Sequence, residues 1–162
     1  DADFKATGQT GVMIVGSGIC IDAVVADFIS GGIEELSPDN AADHWDIIEG
    51  QGSLFNPAFA GVSLGLLHGS QADIIVMCHE ANREHIQGLP HMAVPDIEDC
   101  INLNLKCASL TNPDVKLGGI SLNCRNLSAG EGARQRAELE AKFGVPCFDP
   151  MITGAKSFVE AL

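Results

Sequence analysis

Short apolar runs alternate along the chain with stretches rich in glycine, amide and proline, and their spacing switches between that of strands and that of helices. Phe4-Lys5-Ala6 reads as a short strand running into the loop Thr7-Gly8-Gln9-Thr10-Gly11, and Val12 to Val15 is a second apolar run closed by Gly16-Ser17-Gly18. From Ile21 the apolar positions (Ile21, Val24, Val25, Phe28, Ile29) follow helical spacing, with Asp22 in the first turn and Gly31-Gly32 at the end. Trp45 to Ile48 is too brief and too apolar for an amphipathic helix and predicts a buried strand. Asn56-Pro57 marks the start of a helix to about His68, in which Gly61 and Gly65 predict close packing against a sheet.

Ala72 to Cys78 is the plainest strand, β-branched at its centre and apolar on both faces as a central parallel strand should be, with His79-Glu80 at its carboxyl end. A polar loop carrying His85 and His91 leads to a helix capped by Asp96 and broken at Pro113-Asp114. Val115 to Leu122 predicts a strand ending in Asn123-Cys124-Arg125. Ser128 with Glu131 forms a capping box for a helix over Ala129 to Phe143, closed by Gly144. Val145 to Phe148 is a last, edge-type strand, and Thr153 is placed to cap a final helix to Leu162. Strands alternating with helices predict an α/β fold, a doubly wound and mostly parallel sheet in a single domain.

In such a sheet ligands bind beyond the carboxyl ends of the strands. Thr7 to Gly11, Glu49 to Ser53, His79-Glu80, Asn123 to Arg125 and Asp149 each follow an apolar run, so all five are expected on one edge. The segment Glu49-Gly50-Gln51-Gly52-Ser53 is the most pointed of them: a carboxylate where a strand runs out, then glycines that let backbone approach a ligand. The same local pattern also describes an ordinary surface Glu in a tight turn.

Composition narrows the function classes. With 162 residues and 46% hydrophobic content, the chain can bury a full core. A net charge of −13 argues against nucleic acid and anionic membrane surfaces, both of which select basic patches. No apolar run reaches the roughly 20 residues of a membrane span. The six cysteines include no C-x-x-C pair and several lie in apolar segments, which predicts free thiols in a reducing cytoplasm. The chain opens at Asp1 rather than Met, as a processed chain or fragment would.

The strings Ala6-Thr7-Gly8-Gln9-Thr10-Gly11, Ile21-Asp22-Ala23-Val24 with Asp27-Phe28, Glu49-Gly50-Gln51-Gly52-Ser53-Leu54 and Leu64-Gly65-Leu66-Leu67-His68-Gly69-Ser70 carry a resemblance. It is dense over residues 4–80 and looser beyond. The chain resembles a bacterial and archaeal family long catalogued as a domain of unknown function. Its better-studied members are D-glutamate and D-amino-acid N-acetyltransferases of the DgcN type. The resemblance implies a C-terminal, P-loop-type domain similar in layout to dethiobiotin synthetase. It makes Glu49 a metal-binding or catalytic acid and Asn123 a base-reading residue. The family's phosphate loop lies upstream of the TGQTG segment. No G-x-x-x-x-G-K-[ST] occurs in these 162 residues, and Gly154-Ala155-Lys156-Ser157 lacks the first glycine. The chain is therefore expected to be the distal part of a longer protein.

Acetyl transfer from acetyl-CoA to an amine needs a base, donors for the thioester oxyanion and a cation for the substrate carboxylates. Glu49 or His79 is the candidate base, and the amides of the TGQTG or EGQGS turns are the candidate donors. Arg125 or Arg83 would hold carboxylates, with Gln51 and Ser53 also on the substrate. Thr7, Gly8, Gln9, Thr10, Gly11 and Asn123 are the cofactor-binding candidates. The alternatives are an ATP- and Mg-dependent ligase or phosphoryl-transfer enzyme, with Glu49 on the metal, and a non-catalytic nucleotide-binding fragment. Strands deprived of a central neighbour would expose edge and apolar surface, so association with the upstream segment or a homo-oligomer is expected.

Overall fold

A computed structural model describes all 162 residues, and the chain divides into two compact units. The fold class read from the sequence holds: strands alternate with helices and the main pairings are parallel.

The first unit comprises Asp1–Ala72 with Lys106–Pro113. Its strands β1 (Ala2–Lys5) and β2 (Trp45–Ile48) pair in parallel, Asp3 opposite Asp46 and Phe4 opposite Ile47. One side of this ribbon carries Asp3, Lys5, Asp46 and Ile48, and the last packs on the core of Ile21, Ile29, Ile33 and Leu66. The other carries Phe4, Trp45 and Ile47, all exposed, so β2 is not the buried strand its apolar run predicted.

Three expectations are corrected here. Gln9 to Gly11 is the start of α1 (Gln9–Val15) rather than loop, and the apolar run through Val15 continues that helix to Gly16 in the left-handed conformation. Residues 21–28 form two 3-10 turns, Ile21–Ala23 and Ala26–Phe28, separated by extended Val24 and Val25. Two long-range bonds draw this segment over the end of β1: the amide of Ile19 donates to Ala6 O (3.0 Å) and that of Ile21 to Thr7 O (2.9 Å). The helix follows later, as α2 (Ile29–Leu36), and runs through Gly31-Gly32. Burial of Ile29 and Ile33 is worth roughly 1.5–3 kcal/mol each, which outweighs about 1 kcal/mol per glycine.

The helix after Asn56-Pro57 also starts late. Asn56 closes a turn through Ala58 N, and α3 spans Ala60–Ser70. Its close packing is against α2 rather than a sheet: a Cβ on Gly69 would lie 2.8 Å from that of Ile33, one on Gly65 would meet Ile29, and one on Gly61 would meet nothing.

The second unit comprises Asp73–Leu105 with Asp114–Leu162. Its parallel sheet has the order β3 (Ile74–Glu80), β6 (Lys116–Asn123), β7 (Cys147–Phe148), with β7 at an edge as its proline suggested and β3, expected at the centre, at the other edge. The polar stretch after β3 contains a hairpin, β4 (His85–Ile86) and β5 (Leu89–Ala93), on which His85 and His91 are exposed. Asp96 accepts from Glu98 N at 2.7 Å and opens α4 (Ile97–Ala108). Helix α5 (Ala129–Phe143) has the expected bounds, its capping box of Ser128 and Glu131 and its Gly144 cap. The final helix is only α6 (Lys156–Val159), and Thr153 does not cap it. The Thr153 hydroxyl accepts from Asp149 N at 3.1 Å instead. Phe158 stacks on Phe148 at 5.2 Å and covers Gly119, where a Cβ would come within 2.8 Å of its ring.

No helix is long and apolar enough to cross a membrane.

Candidate functional site

In the first unit the end of β2 delivers Glu49 to the turn between β1 and α1. Glu49 Oε2 accepts from the amides of Thr7 (2.9 Å) and Gly8 (3.0 Å). The Thr7 hydroxyl donates to Glu49 O at 2.7 Å and accepts from Gln51 Nε2 at 3.0 Å. Thr7 is fully buried, so these bonds join the two loops from inside. Gly11 makes room for the arrangement: a Cβ there would overlap Glu49 Oε2 and lie 2.8 Å from Cδ. Glu49 therefore stands beside the 7–11 segment, with Oε2 anchored and Oε1 accepting no hydrogen bond.

The remaining candidates of this unit divide. Gln9 gives its side-chain amide to the Asp22 carboxylate, at 2.9 and 3.1 Å to the two oxygens. Asp22 thus has a long-range partner, not the helix-dipole role its position suggested. Thr10 is exposed on the first turn of α1, and the Ser53 hydroxyl accepts from Phe55 N at 3.1 Å in an exposed loop.

In the second unit His79 lies one residue inside β3, opposite Leu122. It lines a groove of about 340 Å³ with Asn82, Ile97, Leu122, Gln135, Leu139 and Lys142. Burial holds the imidazole below its ordinary pKa, with Arg83 reinforcing the effect and the weaker pull of Asp96 and Glu80 opposing it. His79 is thereby kept neutral at neutral pH.

Glu80, which the sequence places beside His79 at the strand end without assigning it a role, is tied to three other side chains. Its carboxylate takes bonds from Arg83, from Arg125 Nη2 (2.7 Å) and Nε (3.0 Å), and from Asn126 Nδ2 (3.1 Å). The Arg83 guanidinium beside it holds the carboxyl below the usual carboxylate range, against the opposing effect of burial and with help from Arg125. Asn123 turns its Oδ1 to the amide of Arg125 at 3.1 Å and so shapes the turn that presents the guanidinium. The only signal in the sequence was Glu80's place at a strand end, where His79 drew the attention instead.

A family model described as "Domain of unknown function (DUF1611_C) P-loop domain" matches residues 1–159. The chain belongs to the DUF1611 family. A curated relative from Pseudoalteromonas sp, "D-glutamate N-acetyltransferase", is 57% identical over all of this chain and 49% of its own length. One from Tritonibacter scottomollicae with the same name is 47% identical over 98% of this chain and 48% of its own. A solved DUF1611 family protein from Anabaena variabilis superposes with a TM-score of 0.89 at 35% identity, over 99% of this chain and 47% of that one. The DUF1611 chain thus spans about half the length of the curated relatives it matches.

Proposed function

We propose that the DUF1611 chain is the P-loop-type half of a D-glutamate N-acetyltransferase that takes its acetyl group from acetyl-CoA. The observation that carries the reading is the name borne by both relatives, each aligned over nearly all of this chain. In the reaction the substrate ammonium gives up a proton and its nitrogen forms a bond to the thioester carbonyl. The C–S bond then breaks and the thiolate leaves, taking a proton.

Two groups suit the proton transfer. Glu49 offers a fixed carboxylate with one free oxygen, and His79 offers an imidazole held neutral. Arg125 and Arg83, already aligned by Glu80, keep outward guanidinium donors for a carboxylate or phosphate, while Gln51 and Ser53 remain substrate-binding candidates. The groove at His79 is within the usual pocket range of ~300–1,000 Å³, at its lower end. It fits the arm that bears the thioester better than a whole acetyl-CoA. Gly8, Gln9, Thr10, Gly11 and Asn123 stay as the cofactor-side candidates, while Thr7, fully buried, serves by fastening Glu49 to that segment.

With D-glutamate and acetyl-CoA, the full-length protein is expected to release free thiol without ATP, followed by a thiol reagent. ADP formation with no thiol release would instead favour the Mg-dependent ligase reading, for which Glu49 Oε1 is the available carboxylate oxygen. The six unpaired cysteines support a reducing compartment such as the cytoplasm.

A partner surface belongs to the same proposal. Phe4, Trp45 and Ile47 leave one side of the β1–β2 ribbon bare, 43, 44 and 55% exposed. We take the occupant to be another segment of the longer protein, with a second copy as the substitute when that segment is missing. Residues 1–162 alone should sediment as oligomers, and Trp45→Lys should shift them toward monomer. A monodisperse monomer with a cooperative melt before any substitution would defeat this.

A further inference from the structure

Toward the start of the β1–β2 ribbon, away from Glu49, the register places two carboxylates, Asp3 and Asp46, directly opposite one another. Like charges at opposed positions are destabilising unless a cation lies between them. His44, just before β2, turns Nε2 to both: 3.2 Å to Asp46 Oδ1 and 3.7 Å to Asp3 Oδ2. Its other nitrogen, Nδ1, faces Asp1 Oδ2 at 3.7 Å. Lys5 Nζ lies 3.5 Å from Asp3 Oδ2 and 3.3 Å from Asp46 Oδ1, so an ammonium marks the cation position. Three carboxylates thus gather around His44, and the one lysine among them lies against only Asp3 and Asp46. The side chains of His44 and Asp46 are only 12 and 13% exposed, which makes the imbalance costly.

The spacing leaves room for a metal ion between the three side chains. The three ligand atoms of Asp3, His44 and Asp46 lie within 4.8 Å of one another. Around a tetrahedral Zn²⁺ with bonds of ~2.0–2.2 Å, neighbouring ligand atoms stand about 3.3–3.6 Å apart, close to the two His44 distances. A carboxylate on the far side of a ligating imidazole, as Asp1 is here, is the usual means of fixing such a ring. Asp46 is further positioned by the Ser37 hydroxyl and Asn40 Nδ2 on its Oδ2, which leaves Oδ1 toward His44.

We propose that Asp3, His44 and Asp46 bind a divalent cation of the Zn²⁺ class, with Lys5 as the competing cation that fills the position in its absence. The metal ties the first strand to the second and to the 37–46 loop. This site is separate from Glu49 and independent of the acyl-transfer reading.

Calorimetric titration of Zn²⁺ into chelator-treated full-length protein, cysteines kept reduced, tests it. Wild type should bind one ion through this cluster. His44→Ala and Asp3→Asn should each weaken that site at least tenfold, and Lys5→Met should tighten it. Asp3 is 62% exposed, so Asp3→Asn reports on binding without threatening the fold. No binding by wild type, equal binding by Asp3→Asn (the mark of a thiol site), or weaker binding by Lys5→Met would each overturn the proposal.

Discussion

Gly11→Ala in the full-length protein is expected to lower kcat by about 10²-fold or more, with no ionisable group removed. The new Cβ would occupy the place of Glu49 Oε2, and Gly11 is buried, with Ala6 Cβ 3.0 Å away on another side. The carboxylate must therefore leave the amides of Thr7 and Gly8. A displacement of about 1 Å from the productive geometry can cost ~10²-fold in rate. Glu49→Gln removes the charge while keeping the shape, and the loss of a general base is worth roughly 10²–10⁴-fold. If Glu49 is the base, both variants fall together and His79→Gln retains most of its turnover. If His79 is the base, the order reverses. Wild-type turnover in both Gly11→Ala and Glu49→Gln would reduce Glu49 to a loop fastener.

Asp149→Ala is expected to destabilise the protein by about 2–4 kcal/mol at pH 7, since hydrogen bonds to a charged group contribute ~1.5–3 kcal/mol each without adding fully. Asp149 is 2% exposed; its carboxylate accepts from the amide of Cys124 (2.8 Å) and that of Met151 (2.9 Å). These bonds fasten the end of β7 to the turn after β6 that presents Asn123 and Arg125. Burial alone would raise the carboxyl, but the amides outweigh it and hold the pKa below the ordinary carboxylate value. The sign follows from that depression. The contribution is fully present above the unfolded-state value of about 3.9 and fades as pH falls through the folded value. Urea unfolding from pH 3 to 7 should show the gap between wild type and Asp149→Ala closing toward the acid end. A gap independent of pH would assign the loss to packing and leave the charge without a role.

Neither of those arrangements could be read from the chain alone. The sequence marked Glu49 by the end of an apolar run and a glycine turn, but its two amide donors come from residues 41 and 42 positions away. Asp149 was visible only as a polar residue after a short strand, and its partner Cys124 lies 25 positions off. Glu80 could be placed at a strand end but given no role, because Arg125 and Asn126, which give it meaning, are 45 and 46 residues further on.

What the sequence determined by itself was whatever short-range physics decides. Trp45–Ile48 and Ala129–Phe143 have their predicted bounds because a β-prone apolar run, and a capping box with a glycine stop, are complete within their own residues. The unpaired cysteines and the parallel α/β class follow from composition and alternation. The tertiary structure decided the segments whose local preference is nearly neutral. Residues 12–15 became helix and residues 21–28 broke into 3-10 turns around extended Val24 and Val25. A few bonds across the end of β1, from Ile19, Ile21 and Glu49, are worth more than a four-residue apolar run can supply in either direction. The same holds for the cluster of Asp3, His44 and Asp46: alternation puts each on its face, but only the register of β1 against β2 brings them together.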